Sequence, residues 1–153
     1  MSVVFLGLGS NLGDRGGYLR RAALAIERLP QLGNLHLSNF RRTAPVGGPV
    51  QPDYVNAALR CETSLSPQQL LREILQIESR LGRVRTVVDG PRTIDLDLLL
   101  YGSVQLAESN LQLPHPRLEQ RRFVVEPLAE LVPQLPLAGG CTAHQRLAQM
   151  MKD

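Results

Sequence analysis

The chain has 153 residues, 43% of them apolar and 20% charged, with a formal net charge of +3. A chain of this length forms one domain that buries roughly 70% of its extended surface, so 1–153 is read as a single domain and disorder is excluded. The charge is too small to suggest a nucleic-acid protein, residues 1–9 lack a basic leader, and no window reaches the ~18 apolar residues of a membrane span; the expectation is a cytoplasmic protein that contacts neither nucleic acid nor membrane.

MSVVFLGLG contains a β-branched, apolar run from Val3 to Gly9 that predicts a buried strand, followed by the loop SNLGDRG. Leu19, Ala22, Ala23, Ile26 and Leu29 recur at helical spacing, predicting a helix over Gly17 to Leu29 that Pro30 and Gly33 close. Alternation over Leu35 to Phe40 predicts a second strand, and the Pro/Gly-rich stretch TAPVGGPVQP a long loop. Tyr54 to Glu62 alternates again, with Tyr54, Asn56, Ala58 and Arg60 on one face. Ser66, Pro67 and Gln69 are a capping box with proline in the first turn, opening a helix whose stripe is Leu70, Leu71, Ile74, Ile77 and Leu81; Gly82 stops it. After the loop GRVRTVVDGP, Ile94 to Tyr101 predicts a fourth strand, and Ala143 to Met151 a final helix. The order βαββαβ predicts an α+β, ferredoxin-like two-layer sandwich on a four-stranded antiparallel sheet, with a C-terminal extension.

The fourth strand, IDLDLLLY, holds two aspartates in an oily run. Strand periodicity puts Asp95 and Asp97 on one face, ~6.6 Å apart, with Leu96, Leu98 and Leu100 behind them. Two carboxylates losing hydration together repel unless a cation or several donors compensate; a cation is the more economical explanation, and hard cations take oxygen ligands. Sixteen of the seventeen basic residues are Arg, and Arg83, Arg85 and Arg92 flank the pair; carboxylates with guanidiniums suit a metal-bound phosphate substrate. Tyr54 beside Asn56 offers a flat ring and an amide to a heterocycle, with Phe123 as a second stacking surface, and His115 is held out of regular structure in LPHP. GLGSNLGD is a weak match to a dinucleotide fingerprint: Leu12 stands at the third glycine position and no βαβ unit surrounds it. Cys61 and Cys141 lack the spacing of a disulfide or metal site. A sheet that binds RNA is a rival reading, against which the acidic pair counts.

Taken together, GPRTIDLDLLLYG, GLGSNLGD, RTAPVGGPVQPDYVNAA, IESRLGRVR and LPHPRLEQRRFVVEPLAEL resemble the segments of the 6-hydroxymethyl-7,8-dihydropterin pyrophosphokinase family over nearly the whole chain. The resemblance implies pyrophosphoryl transfer from ATP to the hydroxymethyl group of the pterin, a ferredoxin-like fold, two Mg²⁺ ions and a monomer. It implies that Asp95 and Asp97 hold metal, that Arg83, Arg92, Asp97 and His115 act in catalysis, and that Leu71, Glu78, Arg83, Arg85, Arg92, Leu98, His115 and Arg121 line the ATP side. Gly9, Thr43, Val46, Tyr54, Asn56, Asp95 and Phe123 would bind the pterin. The chain departs from the common pattern at Val88 and Asp89, where members often carry a basic residue and an aromatic, and at Asn110 and Gln112.

Overall fold

The computed structural model describes residues 1–45, 47–83 and 91–152. Strand β1 (Ser2–Ser10) leads into helix α1 (Arg15–Glu27), strand β2 (Leu32–Leu37), a short strand β3 (Arg41–Thr43) and strand β4 (Tyr54–Thr63). Helix α2 (Pro67–Arg80), strand β5 (Asp95–Tyr101), the small hairpin of β6 (Leu106–Ala107) and β7 (Gln112–Leu113), helix α3 (Arg122–Leu131) and helix α4 (Ala143–Lys152) follow. The main sheet runs β2-β4-β1-β5 with every pairing antiparallel, and β3 also pairs β4. This is the ferredoxin-like α+β arrangement that the pattern implies. Val4, Leu6 and Leu8 of β1 meet Leu19 and Ile26 of α1 and Leu70, Ile74 and Ile77 of α2 in the main core. Deleting one such buried leucine or isoleucine side chain costs about 2–5 kcal/mol.

Local chemistry sets where elements begin and end. Asp14 caps α1 by accepting from the Gly17 amide at 3.2 Å, so the helix starts at Arg15, two residues before the apolar stripe suggests. Ser66 and Gln69 form the expected capping box on α2, and Gly82, at φ +84°, follows its end. The second strand is displaced from the expected Leu35–Phe40 to Leu32–Leu37, and the pairing resumes as β3. The break lies at Ser38, whose amide donates to the Ala58 carbonyl at 2.9 Å while its Oγ accepts from the Ala58 amide at 2.9 Å. A side-chain oxygen thus stands in for a strand carbonyl, and the chain kinks before rejoining β4.

On β5, Leu96 and Leu98 face the main core, but the register against β1 shifts between Phe5 and Leu6, so Leu100 pairs with Phe5 on the other face. The expected row of three leucines on one face is therefore broken after Leu98 by a bulge. Leu99 and Leu100 instead pack with Phe5, Ala58, Leu128, Leu137 and Ala143 in a second core. That core exists because the C-terminal extension lays α3 and α4 over the second face of the sheet as a third layer. It covers the half of the face around Phe5 and Leu100 and leaves open the half around Gly9, Asn56 and Asp95. Cys61 is fully buried in the main core, where burial pushes its thiol up to about 12, in keeping with an inert structural residue. Among the described residues no helix is long and apolar enough to cross a membrane.

Candidate active site

The open half of the sheet face is built by register. Gly9 of β1 pairs with Asp95 on one side and Asn56 on the other, and Gly7 pairs with Asp97 and Ala58, so acidic side chains on β5 face polar and aromatic ones on β4 across a floor of glycine. Gly9 is needed there: a Cβ would stand 2.7 Å from Asn56 Oδ1 and 3.3 Å from Tyr54 Cδ1. Side chains from β3, β4, β5, the Pro114–Arg117 segment and the start of α3 enclose a cavity of about 360 Å³ over this floor. Of the expected site residues, Thr43, Tyr54, Asn56, Arg92, Asp95, Asp97, His115, Arg121 and Phe123 all line it.

The cavity has two chemical halves. In one, Tyr54 and Phe123 present rings, and Asn56 is held by donating Nδ2 to Thr43 Oγ1. Arg121 lies over the Phe123 ring, 5.5 Å from its centroid, and joins this half to the next. The other half is ionic. Asp95 is gripped on both oxygens, by Arg83 at 2.8 Å on Oδ1 and Arg92 at 3.1 Å on Oδ2. Arg83 is in turn held at 2.6 Å by Glu78, whose Oε2 also accepts from the Leu96 amide at 2.7 Å. Burial, followed by the Asp95 and Glu78 carboxylates, pushes the Asp97 carboxyl up to about 7, an excess of negative charge that Arg121 and Arg83 only partly offset. Asp97, its charge only partly offset, faces the cavity beside Asp95; this pair suits a dication that also takes phosphate oxygens, and such an ion needs only one or two protein carboxylates. Among the described residues no group of three His, Cys, Asp or Glu side chains surrounds a metal position, so the protein alone supplies only part of a shell.

His115 sits at the rim. Its Nδ1 accepts from the Arg117 amide at 3.2 Å, which leaves Nε2 to carry the ring proton, and burial together with the nearby Arg121 lowers its pKa. A neutral imidazole that donates from Nε2 is the form present at neutral pH.

The remaining expected residues lie elsewhere. Glu78 is 2% exposed and does not line the cavity; it holds Arg83, and its charge also bears on Asp97. The Leu98 side chain is packed in the main core because strand alternation turns it away from Asp97; Leu71 is half-buried against the same core. Arg85 and Val46 fall outside the described residues, as do Val88 and Asp89. Gln51, Arg117 and Pro45 line the cavity and were not expected. Gln51 is concealed in a stretch of turn formers, whereas Arg117, two residues after the flagged His115, was within reach of the sequence.

A family model described as 7,8-dihydro-6-hydroxymethylpterin-pyrophosphokinase matches residues 5–133. The chain belongs to this family. It is 44% identical over 140 residues to the 2-amino-4-hydroxy-6-hydroxymethyldihydropteridine pyrophosphokinase of Haemophilus influenzae, covering 90% of this chain and 86% of that one. It is 41% identical to the Bacillus subtilis enzyme of the same name, covering 88% and 80%. It is also 41% identical to the bifunctional protein FolKE of Lactococcus lactis, covering 86% of this chain but only 38% of that protein. The fold is similar to the Plasmodium falciparum HPPK-DHPS structure with a TM-score of 0.74 at 14% identity, covering 99% of this chain and 44% of that one. Some family members are thus parts of longer chains, of which this chain spans less than half.

Proposed function

We propose that this chain transfers the β,γ-pyrophosphoryl group of ATP to the hydroxymethyl oxygen of 6-hydroxymethyl-7,8-dihydropterin, giving AMP and the pterin diphosphate for folate biosynthesis. The observation that carries the reading is a single cavity in which a ring-binding half, Tyr54, Asn56 and Phe123, meets a carboxylate and guanidinium half, Asp95, Asp97, Arg92 and Arg121. The curated names of family members at 41–44% identity support the same substrate pair.

The task is alignment and charge neutralisation, with no covalent enzyme intermediate. Asp95 and Asp97 would hold two Mg²⁺ ions, which would supply positive charge against the phosphates. Arg83, Arg92 and Arg121 bring guanidiniums to the phosphate chain, with Arg85 extending that clamp by family likeness. The pterin oxygen bonds to the β-phosphorus as the bond from that phosphorus to the α,β-bridging oxygen breaks, and the electron pair leaves with AMP. An Asp97 oxygen takes the hydroxyl proton. His115 donates Nε2–H to a phosphate oxygen. Thr43, Val46 and Gly9 complete the pterin side; Leu71, the Leu98 backbone and Glu78, acting through Arg83, complete the ATP side. Family likeness implies a monomer, and a biosynthetic use of ATP fits the cytoplasm. The test is to mix protein, Mg²⁺, ATP and the pterin and follow AMP; no AMP above an ATP-only control would sink the reading.

A further inference from the structure

The cavity floor uses Gly7 and Gly9 of the stretch GLGSNLGD, which leaves the polar residue just past β1 unexplained. Asn11 is 1% exposed, and a buried amide needs its donors and acceptors satisfied. Its partners come from two separate loops. Its main-chain amide donates to the Arg92 carbonyl at 3.1 Å, and its Oδ1 accepts from the Arg92 amide at 2.9 Å, so the backbone of Arg92 is clamped from both sides. Its Nδ2 donates to Gln51 Oε1 at 2.8 Å and to the Pro52 carbonyl at 3.0 Å. Gln51 lines the cavity beside the ring-binding residues, and Arg92 lines it beside the carboxylates. The Gln51–Asp53 segment is also tied by Arg15 donating to the Asp53 carbonyl at 2.8 Å and by the exposed Arg42–Asp53 ion pair at 3.1 Å.

We infer that Asn11 is a positioning residue that couples the two halves of the cavity, setting Arg92 and Gln51 relative to one another so that a ligand in either half prepares the other. The inference rests on the proposed function for its two ligands. Few side chains could replace it. An aspartate keeps an acceptor for the Arg92 amide but has no donor for Gln51 and Pro52; a glutamine is a methylene too long for a site that is fully closed. A shift of Arg92 toward a phosphate pulls on Asn11, and the rigid amide passes the shift to Gln51. By thermodynamic linkage the effect runs equally in both directions.

A simple loop staple and a coupling residue differ in what their loss does. Losing a staple weakens both affinities together with stability. Losing a coupler leaves each single affinity near its original value and removes the cooperativity. The experiment titrates 6-hydroxymethyl-7,8-dihydropterin into the protein with and without Mg²⁺ and saturating α,β-methylene-ATP, and takes the ratio of the two Kd values. In the unmodified protein the nucleotide analogue is expected to tighten pterin binding about tenfold or more. In Asn11→Ala the ratio falls to about threefold or less, while α,β-methylene-ATP alone binds within about threefold of the original. Asn11→Asp gives the same loss and guards against the alanine variant failing to fold. An unchanged ratio in a folded variant, a ratio near one in the unmodified protein, or loss of the fold in both variants would each overturn the inference. Failure of the unmodified protein to form AMP would instead refute the proposed reaction.

Discussion

Replacing Asp97 by Asn should make the metal-free protein more stable at alkaline pH while abolishing its chemistry. The Asp97 carboxyl is pushed from 3.8 up to about 7, first by burial and then by Asp95 and Glu78. The folded state therefore binds more protons than the unfolded state, and stability falls as pH rises from about 4 through 7 before levelling off. At ~1.36 kcal/mol per pKa unit, the interval from 3.8 to about 7 sets a ceiling of about 4 kcal/mol. The carboxyl keeps some access to solvent, so screening reduces this to about 1–2 kcal/mol. Asparagine keeps the shape without the charge. Denaturant unfolding in the presence of a chelator should show Asp97→Asn more stable by that amount at pH 8, with the gap closing towards pH 4. Adding Mg²⁺ and ATP should then stabilise the original protein and not the variant. A variant that is no more stable at pH 8, or a gap independent of pH, would refute the account of Asp97.

Four further outcomes follow from the site. Asp95→Ala should reduce AMP formation at least about 100-fold and leave the far-UV circular dichroism unchanged, because no core side chain is lost; near-normal turnover would reject its metal role. Glu78→Ala should destabilise the fold by about 3 kcal/mol in denaturant, since it removes one of the two carboxylates that hold buried Arg83 and the acceptor of the Leu96 amide, and a loss below 1 kcal/mol would show the pair to be dispensable. Asn56→Ala should weaken pterin binding about tenfold with little change in α,β-methylene-ATP binding, as calorimetry would reveal; parallel losses would misplace the pterin half. Gly9→Ala should weaken the pterin in the same selective way by displacing Asn56, and unaltered pterin affinity would mean that the floor is not as tight as drawn.

The fold was legible wherever local chemistry and pattern agree. Capping at Ser66, the alternation from Tyr54 and the apolar run of β1 each follow from short stretches of chain. Helix α3 was not legible because Pro127 sits inside it and its burial comes from long-range contact with Phe5 and Leu100. The break at Ser38 and the bulge that turns Leu100 over depend on partners on neighbouring strands, which periodicity within one strand cannot report. In the site, Asp95 and Asp97 stand out because acids are rare in an oily strand. Asn11 and Gln51 do not, because their roles come from hydrogen bonds across about forty residues of sequence.

The identity of the nucleotide product tests the central claim most directly. With ATP labelled in the γ-phosphate, Mg²⁺ and 6-hydroxymethyl-7,8-dihydropterin, the proposed reaction yields unlabelled AMP and a pterin carrying two phosphates with the label on the terminal one, in equal amounts. Formation of ADP with a singly phosphorylated pterin, or release of label as free phosphate without pterin product, would contradict it.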